Sequence, residues 1–394
     1  MSTLLSGFTQ LTPSHYLHIL ILLSYLLVIL LLLGAILYTL PRPKAGDGRA
    51  VARGVFALGT LASGAHTWYY MIRFLQYSYT NYVSSHPPPS ASPFLLTLAS
   101  WLEQTSLFDE AWRHVCSTPE NWWWSSHICL YTIPWTAFVA IEGRRHSIPH
   151  LWLYPLLGQL MAISTASSLF FLALFSTPPA DPPIPRPRLP LSTYLPILAS
   201  IFPALYTPYL TPSAFLPNLL LLHFLLLIPF LPLSQYLPST LSSDAGSTLP
   251  PSSLLTLLEP LTFLPRALAL LSLPRGAWHS PRLLLSTLLS HPAQSSIGFD
   301  AMHVSLLLLL YSLLRRGASP SRAGAYEALS ALAGILAVGP GVVAPLVFRG
   351  GLRERKPRPE GKKVKGYGQL KVEDMPRRTR SGRLYSDVVV GGKS

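Results

Sequence analysis

Residues 18–40 read HILILLSYLLVILLLLGAILYTL and carry no acidic or basic side chain. A helix needs about 20 such residues to cross roughly 30 Å of hydrocarbon, so this stretch can span a bilayer on its own. Residues 1–17 contain no Lys or Arg. The apolar run is also longer than the about 7–15 residues of a signal-peptide core, so a retained signal anchor is expected here and not a cleaved leader.

The composition of the whole chain agrees with this reading. Of its 394 residues, 49% are hydrophobic and 12% are charged, with mean hydropathy +0.37. An average soluble domain carries roughly 25% charged residues, and so few charges cannot coat a water-soluble body of this size. Apolar runs and their breakers predict further spans at about 54–76, 121–146, 151–175, 193–210, 213–232, 298–314 and 325–348. The expected fold class is all-α, a polytopic membrane helical bundle of about 8 transmembrane helices occupying residues 1–348. A ninth span is possible at 254–273, where Glu259, Arg266 and two prolines interrupt an apolar run. Residues 94–121 mix Trp101, Glu103, Asp109, Glu110, Trp112, Arg113 and His114 with apolar residues, which suits a segment lying in the interface. The proline-dense stretch 178–190 reads as a linker, and 232–251 is a second proline-rich segment.

Net charge is +14, and much of it lies in residues 349–394, with 14 Lys/Arg against 5 Asp/Glu. We read these residues as a disordered cytosolic tail facing an anionic leaflet, with no nucleic-acid partner. The basic groups at 42–53, 144–145 and 315–316 should also face the cytosol, but eight or nine alternating spans cannot put all of them on one side. Cys116 and Cys129 have no metal-ligand spacing, and a disulfide between them would require an oxidising lumen.

Ionisable and polar residues inside spans are functional candidates, because hydrocarbon penalises them. Asp300 and His303 are three residues apart and share a helix face, where a carboxyl and an imidazole could pass a proton. The structural alternative is an aspartate favoured by a helix N-terminus. Glu142 lies against Arg144, Arg145 and His146, which also suits an interfacial charge cluster. His127 and Gln159 suit interhelical hydrogen bonding as readily as chemistry. His66 and Arg73 share one face with Tyr69 and Tyr70, although Arg73 can simply snorkel to the boundary. Trp123 and Trp124 belong to a tryptophan cluster at a helix start; aromatic faces can shield a cation, and interfacial belts use the same residues. The chain has no GxxxxGK[ST] loop, no HExxH, no histidine boxes and no DDxxD or NDxxD run. No metal or cofactor is therefore expected, and cyclisation of an isoprenoid would have to start by protonation.

Residues 122–172, WWWSSHICLYTIPWTAFVAIEGRRHSIPHLWLYPLLGQLMAISTASSLFFL, resemble the fungal integral-membrane terpene cyclases of the ascochlorin and ascofuranone type. The likeness lies in the tryptophan cluster, the Glu-Gly-Arg-Arg step followed by Ile-Pro and Leu-Trp, the Leu-Gly-Gln, and the Ser/Ala-rich stretch ending in Leu-Phe-Phe. HTWYYMIRF (66–74) and SIGFDAMH (296–303) are similar in placement. The resemblance implies protonation-initiated closure of an epoxide on a prenylated aromatic meroterpenoid, in the endoplasmic reticulum membrane. Asp300 or Glu142 is then expected as the acid, with His303, His127 or Gln159 orienting groups or taking the final proton. Trp123, Trp124, Tyr69, Tyr70, His66 and Arg73 would bind substrate. Two other classes are open on the residues alone: a non-catalytic scaffold, and a proton-coupled transporter using Asp300 and His303.

Overall fold

A computed structural model describes residues 10–43, 46, 48–87, 93–177, 188–231, 248–274, 281–315 and 322–353. The expectations for most of both proline-rich segments, for Arg316 and for the tail beyond 353 lie outside these residues. The described chain is all-α apart from one antiparallel pairing of Leu189–Pro190 with Thr248–Leu249. Both cysteines are free thiols.

Helix α1 spans Pro13–Thr39. The Thr12 side chain accepts the His15 N–H and Pro13 supplies a preset helical torsion, so its start is fixed locally. Leu20 and Leu31 are among many side chains on its outer face that are more than half exposed. Helix α2 (Ala50–Ser85) follows, then two short helices, α3 (Phe94–Gln104) and α4 (Leu107–Cys116), where the sequence suggested one interfacial segment. Helix α5 (Pro119–Phe138) starts at a Thr118 cap and ends in a π-helical turn, Val139–Gly143.

The run 151–175, expected as one span, is two helices, α6 (Leu153–Leu160) and α7 (Ile163–Ser176). They are broken at Met161 and Ala162, whose backbones leave the helical region. Next come α8 (Leu191–Ala199), α9 (Ile201–Tyr206) and α10 (Pro212–Leu227). The interrupted run near 254–273 is one continuous helix, α11 (Pro251–Leu271), despite Pro260 and Pro265. It is followed by α12 (Pro281–Leu289) and α13 (Pro292–Leu314), then α14 (Arg322–Val338) and α15 (Pro340–Arg353). The last of these carries the folded bundle five residues past the expected boundary at 348. Among the described residues, α1, α10 with its terminal turn, α11 and α13 are long and apolar enough to cross a membrane.

Helices α2 and α7 pack through small residues. Ser63 Oγ lies 3.1 Å from Thr165 Oγ1, Ser168 Oγ donates to the Phe56 carbonyl at 2.7 Å, and a Cβ at Gly59 would come within 2.8 Å of Ser168 Oγ. Such residues let backbones approach closely where no hydrophobic force between helices is available.

Five arginines gather at one end. Phe138 stacks on Phe348 at 4.2 Å and Phe171 on Tyr311 at 4.8 Å, which makes an aromatic layer beneath that end. Around it, Arg49 donates to Thr177 O (3.1 Å), Arg53 to Phe175 O (3.4 Å) and Arg144 to Pro229 O (2.6 Å). Arg315 pairs with Glu327, and Arg349 with Glu259 at 3.0 Å. Several of these cations meet the last carbonyls of helices, where the helix dipole favours positive charge. The opposite end is tied by His15–Glu103 (3.0 Å), Ser78 to Glu110 (2.9 Å) and Arg113 to Pro212 O (2.7 Å).

This arrangement shows that α6–α7 is a hairpin. Its first arm starts where Leu151 packs on Gly143 near the arginine end, and its second arm returns there at Phe175 and Thr177. The tip lies inside the bundle, where the Tyr25 hydroxyl donates to Leu160 O. A second hairpin, α14–α15, turns at Gly339. The φ of +99° there suits glycine, and a Cβ would collide with the His127 ring.

Candidate active site

A cavity of about 910 Å³ lies among α1, α2, α4, α6, α10 and α13. Its wall is largely apolar and rich in rings, including Tyr25, Tyr70, Phe74, Phe108 and Trp112. Asp300 and Gln159 stand in the same wall beside the α6–α7 tip.

The break at the tip determines how Asp300 is held. Ala162 is extended and has no capping side chain, so the first N–H groups of α7 need a partner from elsewhere. Asp300, on α13, supplies it. Its Oδ1 accepts the Ser164 N–H at 2.9 Å and its Oδ2 the Ile163 N–H at 3.3 Å. The helix-dipole reading of Asp300 is thus realised on a different helix from its own. The two bonds fix the carboxyl plane against rotation while its edge remains in the cavity wall. Gln159 Nε2 is buried with no hydrogen-bond partner, so it can donate to a guest.

His303 lies one turn beyond Asp300. Its Nδ1 is 2.8 Å from Phe299 O, and because a carbonyl only accepts, Nδ1 carries the proton and Nε2 keeps a lone pair in the neutral ring. Its ring meets His66 edge-on at 5.3 Å. His66 in turn lies 4.9 Å from Tyr70 and 4.4 Å from Phe299. Asp300, Gln159 and Tyr70 therefore line one chamber, with His66 and His303 behind Tyr70 and Phe299.

The other expected site residues lie elsewhere. Glu142 sits in the π turn, buried, 3.1 Å from Arg145 and 3.4 Å from His146, and lines no part of the cavity. His127 Nε2 lies 2.8 Å from Arg266 Nη2, and Trp123 lies under the same guanidinium at 4.8 Å. Trp124 donates to Leu284 O. Tyr69 is 56% exposed, and Arg73 donates to Gln76 Oε1 at 3.5 Å, within its own helix.

Sequence reasoning missed the other groups in and around the chamber. Tyr25 lies within an unbroken apolar run and His223 within α10. Asp109 and Arg113, expected in a segment lying in the interface, line the cavity wall. Arg266 is 1% exposed and donates to Val338 O, Trp123 O and Ser126 Oγ. A single cation in an apolar run was the available signal for it.

Outside the cavity lining, beside Arg113 and Val115, the His114 and His291 rings stack at 3.7 Å, and the His291 side chain caps α13 by accepting the Ala293 N–H. Burial pushes both imidazoles down, His291 to about 4, with the facing His114 adding to its shift. Among the described residues no group of three or more His, Cys, Asp or Glu side chains converges in a metal-holding cluster. Compared with protein-family models, curated proteins and solved structures, the chain matches none of them.

Proposed function

We propose that this chain is a membrane-embedded terpene cyclase that folds an epoxidised, prenylated meroterpenoid or related isoprenoid by protonation. The observation that carries the reading is the ring-lined cavity of about 910 Å³ with the Asp300 carboxyl fixed in its wall. Asp300 gives its proton to the epoxide oxygen, the bond from that oxygen to the more substituted carbon breaks, and the nearest alkene attacks the resulting cation. Gln159 donates to the same oxygen and orients it. Tyr25, Tyr70 and Trp112 present ring faces to the moving positive charge. The Asp300 carboxylate takes back the proton lost in the last step, which restores the acid. The apolar wall keeps water from quenching the cation. Glu142 and His127, both outside the cavity, have no part in these steps.

The same proposal covers topology and location. With Arg49, Arg53, Arg144, Arg315 and Arg349 at one end, that end faces the cytosol of an endoplasmic reticulum membrane. The two hairpins enter from that side and return to it. This leaves about seven crossings where hydropathy suggested about eight, with residue 10 and residue 353 on opposite sides. The conflict among basic groups then disappears.

Expression in a heterologous membrane supplied with an epoxyfarnesyl phenol tests the activity. A new cyclic product is expected, and it should be absent with Asp300→Asn at equal protein level. No cyclic product from any epoxyprenyl substrate would remove the enzyme reading in favour of a scaffold or transporter.

A further inference from the structure

The cavity has a second polar pole, away from Asp300. It is formed by Asp109 and Arg113 of α4 and His223 of α10. Arg113 Nε pairs with Asp109, Nη2 donates to Pro212 O at 2.7 Å, and the guanidinium lies over Phe215 at 5.4 Å. Its charge is balanced and its position is held by backbone. His223 sits edge-on to Trp112 at 6.0 Å and to Phe108 at 6.3 Å. Its Nδ1 is 2.7 Å from Leu219 O, so the proton is on Nδ1 and the neutral ring leaves Nε2 as an acceptor. Among the described residues the ring makes no other hydrogen bond. Asp109 Oδ1, the oxygen Arg113 does not take, is buried without a hydrogen-bond partner among the described residues, so this pole offers acceptors and no unbalanced charge.

The separation of the poles follows from the helices. His291 stacks on His114 of α4, and α13 rises about 13 Å from His291 to Asp300 at 1.5 Å per residue. On α1, His18 and Tyr25 line the cavity about 10 Å apart by the same rise, with Tyr25 at the hairpin tip. An extended carbon chain of about ten to twelve bonds, each advancing roughly 1.25 Å, covers that distance.

We propose that the α4–α10 pole is a binding subsite for a neutral hydroxyl at one end of an isoprenoid whose other end reaches Asp300, with His223 Nε2 accepting the hydroxyl proton. The inference rests on the cavity's being an isoprenoid site and is independent of whether the guest is cyclised. A carboxylate or diphosphate head would face Asp109 and the His223 lone pair with no spare cation. A head with no donor would leave Nε2 desolvated and unpaired, which costs more than a made bond gains.

The test is direct binding to the full-length chain in detergent, read by tryptophan fluorescence, with farnesol, its methyl ether and the corresponding carboxylic acid. Farnesol is expected to bind about five- to tenfold more tightly than the ether, the worth of one hydrogen bond. His223→Phe should erase the preference and His223→Gln, which keeps an acceptor, should retain part of it, both eluting as monodisperse protein. Equal binding of alcohol and ether to the unaltered chain, tightest binding of the acid, or no binding of any probe would overturn the subsite. The expected preference without any cyclic product would remove the cyclase reading alone.

Discussion

The Asp300 carboxylate on α13 accepts the Ser164 backbone N–H of α7 at 2.9 Å, so the candidate acid also serves as the cap of a neighbouring half-helix. The two roles can be separated. Asp300→Ala should lose cyclisation by at least about 100-fold, on the scale of a general acid. It should also lose about 0.5–2 kcal/mol of stability, on the scale of a cap. Asp300→Asn keeps one accepting oxygen, so it should lose the activity while recovering part of the melting temperature. Product yield and thermal unfolding measured on the same preparations check both.

Glu142 gives the opposite pattern. It is buried against Arg145, and removing one partner of such a pair typically costs about 3–5 kcal/mol. Glu142→Ala should therefore lower the melting temperature sharply. Glu142→Gln should leave turnover per folded molecule unchanged. A turnover loss in Glu142→Gln at normal stability would return this carboxylate to the list of acids.

Gly339→Ala meets two penalties, a backbone at φ +99° and a collision with the His127 ring. A loss of at least about 1–2 kcal/mol is expected, because a Cβ is disfavoured in the left-handed region. Repeating the change in a His127→Ala background should recover only the steric part. A full recovery would mean that the backbone conformation itself carries no cost.

The stacked pair His114 and His291 predicts an acid-sensitive contact between α4 and the start of α13. Both rings titrate below their ordinary value in the folded chain, so the unfolded chain binds more protons as pH falls. Stability from this pair should be complete above about 6.5, the ordinary histidine value, and be lost as pH falls towards 4. Thermal midpoints across that range should fall less steeply for His291→Asn, whose side chain still caps α13. An identical slope in both proteins would show that other groups govern the acid response.

The sequence reveals helices more readily than how they are used. Apolar runs announce α1, α10 and α13 because burying a helix in lipid depends on length and hydropathy, which are additive along the chain. They cannot distinguish one crossing from a hairpin of the same length. The α6–α7 turn falls at Met161 and Ala162, which are not chain breakers, so nothing local announces it. Asp300 was legible because a charge in hydrocarbon is conspicuous. Its partners were not, because they are backbone N–H groups of a helix start that only the tertiary fold exposes. Asp109 and Arg113 look solvated for the complementary reason: their pairing with each other lets a charged turn sit against a cavity.

Helix α2 covers Ala50–Ser85, about 54 Å at 1.5 Å per residue, against a hydrocarbon slab of roughly 30 Å. In the topology proposed above it stands proud of the apolar layer even when strongly inclined, and Ser78, which bonds Trp101 and Glu110, lies towards its C-terminal end. On that topology the short α3 and α4 helices ride on a rigid mast at the depth of the lipid headgroups. A greasy molecule already dissolved in that leaflet would meet the chamber sideways, without passing through water.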